Sequence, residues 1–418
     1  MSMSRIKIKN FGPIKEGYLE NDGWLDIKKV TVFIGNQGSG KSTVAKVIST
    51  LTWLEKSFNR GDFKVDETTP HSFLKHFEFQ GIDEYFQPNT EIDFEGLRYR
   101  FSFKRKGNKL EIIKLGDNGY QVPKIMYIPA ERNFLSSIED SFKVTGLPDH
   151  LFTFAEELRK AQKQLTSGTV DLPIQNYSYE YDDQKETSFI RGKNYRINLM
   201  QASSGFQSLV PLFLVTRYLT NLVVSTNISP RESMSVNQSI RMGEEITSIT
   251  LDDSKANDQK QTEINNIKSR YINKCVLNII EEPEQNLYPS SQRLILHTLL
   301  GYRRRVPKHN ILIITTHSPY IINYLTLAVK AYFLYNKLSY IKSDQYGTPK
   351  SKLMQIVPYK ARVNPSDLAI YELDERTGTI KLLKSFQGLP SDENFLNQSL
   401  AEVNEQFDKL LEIEELCQ

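Results

Sequence analysis

Val30-Thr31-Val32-Phe33-Ile34-Gly35-Asn36-Gln37-Gly38-Ser39-Gly40-Lys41-Ser42-Thr43 decides the reading of this chain. A β-branched apolar run breaks into glycines, closes on a lysine and two hydroxyls, and passes into the helix-compatible segment Thr43–Lys56. The pattern is G-x-x-x-x-G-K-[ST] in the strand–turn–helix context that a phosphate-binding loop requires. Gly35, Gly38 and Gly40 permit positive φ and close backbone approach. N–H groups of Asn36, Gln37, Gly38, Ser39, Gly40 and the first helical residues up to Thr43 then face phosphate oxygens, aided by the positive end of the helix dipole. Lys41 is placed to reach β- and γ-phosphates, and the Ser42 hydroxyl to ligate Mg²⁺. The expected ligand is a nucleoside triphosphate.

Size and composition frame that expectation. With 418 residues the chain can bury a large core and has room for two or three domains. Hydrophobic residues make up 39% and charged residues 25%, with a net charge of +3, so nothing global calls for nucleic acid or a membrane. Two cysteines, Cys275 and Cys417, stand far apart, which fits a reduced cytoplasmic protein better than a disulfide scaffold. Met1–Lys9 has no signal-peptide core, and no run approaches the ~18 apolar residues of a membrane span.

Along the chain, Arg5–Phe11 alternates as a half-buried strand, and Gly23 and Asp26 bracket a second one. Ser57–Asn89 carries no clear period. The alternation from Glu91 to Leu115 reads as antiparallel strands, with a hairpin turn at Lys106-Gly107-Asn108 and a solvated basic Lys104-Arg105-Lys106. Lys124–Ile128 is a buried strand running into the charged Ala130-Glu131-Arg132, an edge expected to face a ligand or subunit. An insertion, Phe134–Leu199, follows, with a helix at Leu151–Leu165 and strands at Tyr177–Tyr181 and Tyr195–Leu199. Leu209–Leu222 is an apolar helix with Pro211 near its start. Ser225–Ile267 is polar enough for a mobile or surface insertion, ending in a helix near Gln261–Lys274. Later elements are a helix at Gln292–Leu300 closed by a solvated Arg303-Arg304-Arg305, a strand from Ala331, a hairpin at Asp367–Leu383 and an amphipathic helix at Leu400–Leu411.

Three polar clusters interrupt the apolar runs. Cys275–Ile280 has the continuous apolar pattern of a doubly covered parallel strand and stops at Glu281-Glu282-Pro283-Glu284. Paired carboxylates at a core-strand terminus, beside a phosphate loop, point to metal and water chemistry rather than to a solvated pair. Ile311–Thr316 ends in the same way at His317. The third cluster, Ala202-Ser203-Ser204-Gly205-Phe206-Gln207-Ser208, precedes a helix. It reads equally as an N-cap or as a second anion-binding helix start, with Ser203, Ser204 and Gly205 as donors.

The order of these motifs resembles the ABC-type ATPase head, closest to its SMC, RecF and OLD-like branch. On that resemblance Ala202–Leu209 falls on the signature, with Ser204 where glycine is usual. Glu281 implies the water-mediated Mg²⁺ ligand, Glu282 the catalytic base, and His317 the switch histidine at the γ-phosphate. Leu287-Tyr288-Pro289 falls on the D-loop, with Tyr288 in place of aspartate, and Ala130-Glu131-Arg132 falls where a glutamine is usual. The Phe134–Leu199 insertion has no sustained heptads, so a long SMC-type coiled coil is not expected. No two-metal nuclease constellation follows the head either.

The fold expected is α/β: a head with a mixed or parallel P-loop core sheet, an antiparallel β subdomain and helical insertions. Its parts are residues 1–132 and 201–325 as the two halves of the head, 133–200 as an insertion and 326–418 as a C-terminal extension. The cofactors implied are ATP and Mg²⁺. The partners implied are a second head, in an ATP-sandwich dimer or higher oligomer, and a separate effector such as a nuclease, as in bacterial antiphage systems that compact ATPases of this kind resemble. The alternative is a RecF-like DNA-repair ATPase, which leaves nucleic acid open as a partner. A transporter subunit and a small-molecule kinase fit less well.

Overall fold

The computed structural model describes residues 4–116, 119–139, 143–165, 168–225, 234, 236–305, 309–340 and 347–415. Cys417 lies outside them. Cys275 is buried and free.

The first part runs β1 (Ser4–Phe11), β2 (Gly17–Tyr18), β3 (Leu25–Ile27), β4 (Val30–Gly35), α1 (Lys41–Arg60) and α2 (Pro70–Lys75). β5 (Phe86–Glu95), β6 (Tyr99–Lys104), β7 (Lys109–Lys114) and β8 (Pro123–Ile128) follow. The stretch from Ser57, which shows no period in sequence, continues α1 and then holds α2. Thr69 and Ser72 cap α2 reciprocally, each side chain taking the other's backbone N–H. The order β3-β1-β5-β6-β7 forms the expected antiparallel sheet.

The middle holds α3 (Asp149–Lys163), β9 (Thr169–Asp171), β10 (Ser178–Asp182), β11 (Thr187–Arg191), β12 (Arg196–Asn198) and α4 (Ser204–Ser225). β9–β12 make a separate four-stranded sheet. Pro211 stands in the eighth position of α4 rather than at its start. Its missing N–H would leave the Gln207 carbonyl free, and Ser136 Oγ donates to that carbonyl at 2.8 Å. α4 is also long and apolar enough to cross a membrane by length and composition, contrary to the reading of the sequence. In the fold 72% of its apolar window is buried, as in a core helix.

Then come α5 (Val236–Thr250), α6 (Asn257–Tyr271), β13 (Cys275–Glu281), α7 (Pro289–Arg303), β14 (Ile311–Thr316) and α8 (Pro319–Tyr340). The described part of the polar 225–270 stretch is therefore a pair of helices, not a mobile loop. Its polar residues pair with each other and with the head: Glu245 accepts from Arg270 at 2.8 Å and Tyr271 at 2.6 Å, and Arg241 reaches Asp62 at 2.8 Å. The basic triple is not solvated as a unit. Arg303 is buried, while Arg304 donates to the Tyr359 carbonyl and Arg305 to Asn221. The strand expected from Ala331 is the second half of α8. Ile321, Ile322, Leu325, Ala328 and Val329 are buried at helical spacing, and that stripe outweighs the β-branched and aromatic content.

The chain ends with α9 (Gly347–Ile356), β15 (Leu368–Asp374), β16 (Thr379–Leu382), the short pair β17 (Ser385–Phe386) and β18 (Leu389–Pro390), and α10 (Phe395–Glu415). The hairpin β15–β16 is not a separate extension. β15 pairs in parallel with β4, Ile370 opposite Val32, so residues beyond 325 complete the core sheet.

That sheet has the order β2-β16-β15-β4-β14-β13-β8, with β15, β4, β14, β13 and β8 mutually parallel. β4 and β13 are buried throughout, and side chains alternate between two apolar layers. Val30, Val32, Ile34, Ile280 and Ile314 face the layer built with α4, α7 and α8. Phe33, Ile279 and Ile313 face the layer built with α1 and the antiparallel sheet. Each such side chain contributes about 1.5–3 kcal/mol on burial, so the centre of the sheet is a rigid base. The C-terminal ends of its parallel strands lie along one edge, where an open α/β sheet leaves room for a ligand.

Candidate nucleotide site

Along that edge the strands deliver, in spatial order, the glycine loop after β4, His317 after β14, Glu281 and Glu282 at the end of β13, and Ala130–Arg132 after β8. The loop takes the positive φ its glycines allow, 146° at Gly35, 76° at Gly38 and 98° at Gly40. Gly40 opens α1, and a Cβ there would meet Ile14 Cδ1 at 2.5 Å. Lys41 is buried, its Nζ donating to the carbonyls of Gly35 at 2.9 Å and Asn36 at 2.7 Å. Burial brings its pKa down to about 8, against the pull of Glu282, Glu284, Glu281 and Glu375. Asn36, Gln37, Gly38 and Ser42 are exposed, while Ser39 and Thr43 are buried. Ser39 Oγ has no hydrogen-bond partner. Asn36 is held from the far end of the chain, its Nδ2 donating to Glu375 Oε1 at 3.2 Å.

One strand away, His317 Nε2 meets Glu282 Oε1 at 3.2 Å. This hydrogen bond, more than any other factor, keeps the Glu282 carboxyl below the usual range. Glu282 sits at φ 43°, a left-handed conformation that costs a non-glycine residue about 1–2 kcal/mol. Glu281 is buried; its Oε2 accepts from the Ala130 N–H at 3.1 Å. Its Oε1 is buried and takes no hydrogen bond, and the Tyr127 hydroxyl, which burial and the Glu281 charge keep protonated, is its neighbour. Glu284 enters the sequence reading as part of the acidic cluster after β13, with no role of its own. It accepts from Thr316 Oγ1 at 2.7 Å and from the His317 N–H at 2.9 Å, so it carries the backbone that presents His317. Burial raises its carboxyl despite those bonds.

Arg132, at the position left unassigned in the sequence, has no exposed surface. Its Nε donates to the Ser208 carbonyl at 3.1 Å, and its Nη1 to those of Pro129 at 3.0 Å and Glu281 at 2.7 Å. Nη2 donates to the Glu282 carbonyl at 2.6 Å. Charge-assisted bonds of this kind are worth about 1.5–3 kcal/mol each, enough to hold the Glu282 turn in its strained conformation. Burial lowers the guanidinium only to about 10, so it stays charged.

The Ser203–Gly205 segment opens α4, the Ser203 carbonyl accepting from the Gln207 N–H at 3.1 Å. Ser203 and Ser204 are exposed. Gly205 packs on the turn after β13: a Cβ there would lie 2.8 Å from the Asn286 carbonyl oxygen. Ser208 Oγ also bonds Gln285 Oε1 at 3.1 Å. The structure thus brings the loop, Glu281, Glu282 and His317 to one edge. Gly205 is set against the 285–287 turn, and Tyr288, the next residue, is 77% exposed.

Residues 1–115 match the family described as AAA ATPase domain. A stretch of this chain is similar to the DNA replication and repair protein RecF of Phocaeicola vulgatus, 26% identical over 140 residues. That stretch is 34% of this chain and 35% of RecF, so the chain spans about a third of that relative's length. Among solved structures, the SMC head domain of Thermotoga maritima aligns over 92% of this chain and all of its own, at 11% identity and TM-score 0.37. The Pyrococcus furiosus Smc head with an extended coiled coil, bound to the C-terminal domain of ScpA, aligns over 97% and 98%, at 9% identity and TM-score 0.38. The β15–β16 hairpin, whose β15 pairs with β4, lies outside the matched 115 residues.

Proposed function

We infer that the protein binds and hydrolyses ATP at the edge of the core sheet and uses the cycle as a conformational switch. The observation that carries this reading is the Glu282–His317 pair, set one strand from a phosphate loop on the same sheet edge. Lys41 leaves the Gly35 and Asn36 carbonyls to meet β- and γ-phosphates, while loop N–H groups from Asn36 to Thr43 cradle the chain of phosphates. Glu282, ionised and oriented by His317, takes the proton from the attacking water, and His317 faces the γ-phosphate. The residues present fit Mg²⁺. Glu281 Oε1 is a buried carboxylate oxygen with no partner, and the Ser42 hydroxyl is exposed at the helix start. When bound there, Mg²⁺ would neutralise charge on the transferred phosphoryl group. Phosphate release by purified protein with ATP and Mg²⁺, absent from Lys41→Ala prepared in the same way, tests the reading. Equal release from both sinks it.

Ser203, Ser204 and Gly205 form a second helix start with donors for an anion, Gly205 packed against the turn that follows β13. In the ABC-like arrangement they meet the nucleotide of a second copy, so the acting form is a head-to-tail dimer with shared sites. The output is a change of contact with a separate effector protein, as in the antiphage systems the motif order resembles. The exposed apolar side chains of Val403, Phe407, Leu410 and Ile413 on α10 favour a protein partner of this kind. Localisation in the cytoplasm goes with this reading. The RecF likeness supports a second one, a DNA-binding repair ATPase. Its mark is duplex affinity that falls steeply with salt in the absence of any protein partner.

A further inference from the structure

We propose that Arg132 is the positioning residue that couples the Ser203–Gly205 helix to the catalytic carboxylate of its own subunit. The inference rests on the ATPase reading above and adds the joint that reading lacks. The guanidinium is planar and rigid, and its bonds run to three separate segments. Ser208 belongs to the first turns of α4, Glu281 and Glu282 end β13, and Pro129 ends β8. All four acceptors are backbone carbonyls, so Arg132 grips main chain and fixes where the segments stand relative to one another. A buried cation in this position is costly unless each bond is kept, which makes its geometry exacting. Two further contacts tie α4 to the turn that follows β13: Ser208 Oγ to Gln285 Oε1 at 3.1 Å, and Gly205 against the Asn286 carbonyl.

α4 therefore cannot shift at its N-terminus without moving the carbonyl of Glu282. That residue already holds a left-handed φ of 43°, a conformation that persists only while its surroundings enforce it. In a head-to-tail dimer the N-terminus of α4 reports on the nucleotide of the other subunit. Arg132 passes that report to Glu282, which acts on the nucleotide of its own loop. Turnover at the two sites is then cooperative through this side chain.

Arg132→Lys keeps the charge and loses the planar fork, and Arg132→Gln loses both. For each, melting, affinity for a non-hydrolysable ATP analogue, kcat, KM and the Hill coefficient of turnover are measured against parent protein. The expected result for Arg132→Lys is parent-like melting and analogue affinity, kcat down at least tenfold, KM within about twofold, and the Hill coefficient reduced to one. A side chain with only a structural role would move melting and leave cooperativity alone. Parent-like kcat and Hill coefficient in a folded variant overturn the proposal. If neither Arg132 variant folds, hydrogen exchange of the parent protein decides: slowed exchange at both 204–208 and 281–284 when the ATP analogue binds supports it, and a change at only one of the two segments overturns it. Parent protein without ATP turnover instead overturns the ATPase reading and this inference together.

Discussion

His317 Nε2 lies 3.2 Å from Glu282 Oε1, and Glu284 holds the His317 backbone N–H at 2.9 Å. The two carboxylates grip one histidine at its ring and its main chain. The ring contact lowers the pKa of Glu282, so the residue proposed as base is ionised at neutral pH. A base of this kind fails as pH falls through its pKa. His317→Ala removes the main factor lowering that pKa, so the acid limb of the kcat–pH profile should move to higher pH. An unmoved acid limb would show that Glu282 does not set it.

Glu282→Gln keeps shape and loses basicity. Removal of a positioned base costs ~10²–10⁴-fold. The expected outcome is a kcat reduced by that range with ATP still bound, so that filter binding recovers unhydrolysed ATP on the protein. Turnover within threefold of parent would pass the base role to another group.

Lys41 supplies a pH dependence of binding. Burial has lowered it to about 8, and a bound triphosphate restores a strong reason to keep the proton. Below pH 8 the lysine is already charged and binding needs no proton. Above pH 8 binding must take one up, so ATP affinity should fall approaching tenfold per pH unit between about pH 8.5 and 9.5. Calorimetry in buffers of different ionisation enthalpy would register the uptake directly. Lys41→Ala should lose ATP binding at every pH, and retention of labelled ATP by the folded variant would remove the loop from the site.

Gly205→Ala tests the fit between α4 and the turn after β13. The added Cβ would stand 2.8 Å from the Asn286 carbonyl, and main chain cannot swing aside as a flexible side chain can. Overpacking of this kind costs about 1–3 kcal/mol. The expected effect is a lowered melting temperature together with a fall in kcat, while analogue binding at the loop is retained. An unchanged melting curve would mean that the two segments separate freely.

The central strands and the polar groups at their ends were legible because each strand is buried on both faces. Cys275–Glu281 and Ile311–Thr316 are nearly pure apolar runs, and polar groups at their ends stand out against them. β15 was not legible as a core strand, because its pairing partner Val30–Gly35 is more than 330 residues away and the two are joined by tertiary contact alone. Residues 331–335 mislead because Tyr332, Phe333 and Tyr335 favour strands locally, while the stripe begun at Ile321 makes the segment a helix. Arg132 could be noticed as a charge at a strand end, but its four acceptors are carbonyls, which no sequence pattern displays. Glu284 was noticed as part of the acidic cluster, but its role was not legible for the same reason, since one of its two bonds goes to backbone.

Ser203→Arg and Lys41→Ala together test the shared site. Ser203 is exposed at the start of α4, whose Gly205 packs on the Asn286 carbonyl, so a bulky charge there is expected to spare ATP binding by an isolated head. In the proposed head-to-tail dimer it would nevertheless obstruct the second subunit's nucleotide. Ser203→Arg alone is therefore expected to bind ATP and fail to hydrolyse it, and Lys41→Ala alone to fail at both. A mixed dimer holds one intact loop facing one intact helix start, which is one working site of two. Mixing should then restore turnover to at most half of parent, in proportion to the mixed dimer, with dimer mass rising on ATP addition because ATP bridges the heads. ATPase rates of each variant and of the mixture, with mass measured in parallel, give the answer. Normal hydrolysis by monomeric Ser203→Arg would reduce Ser203–Gly205 to a helix cap.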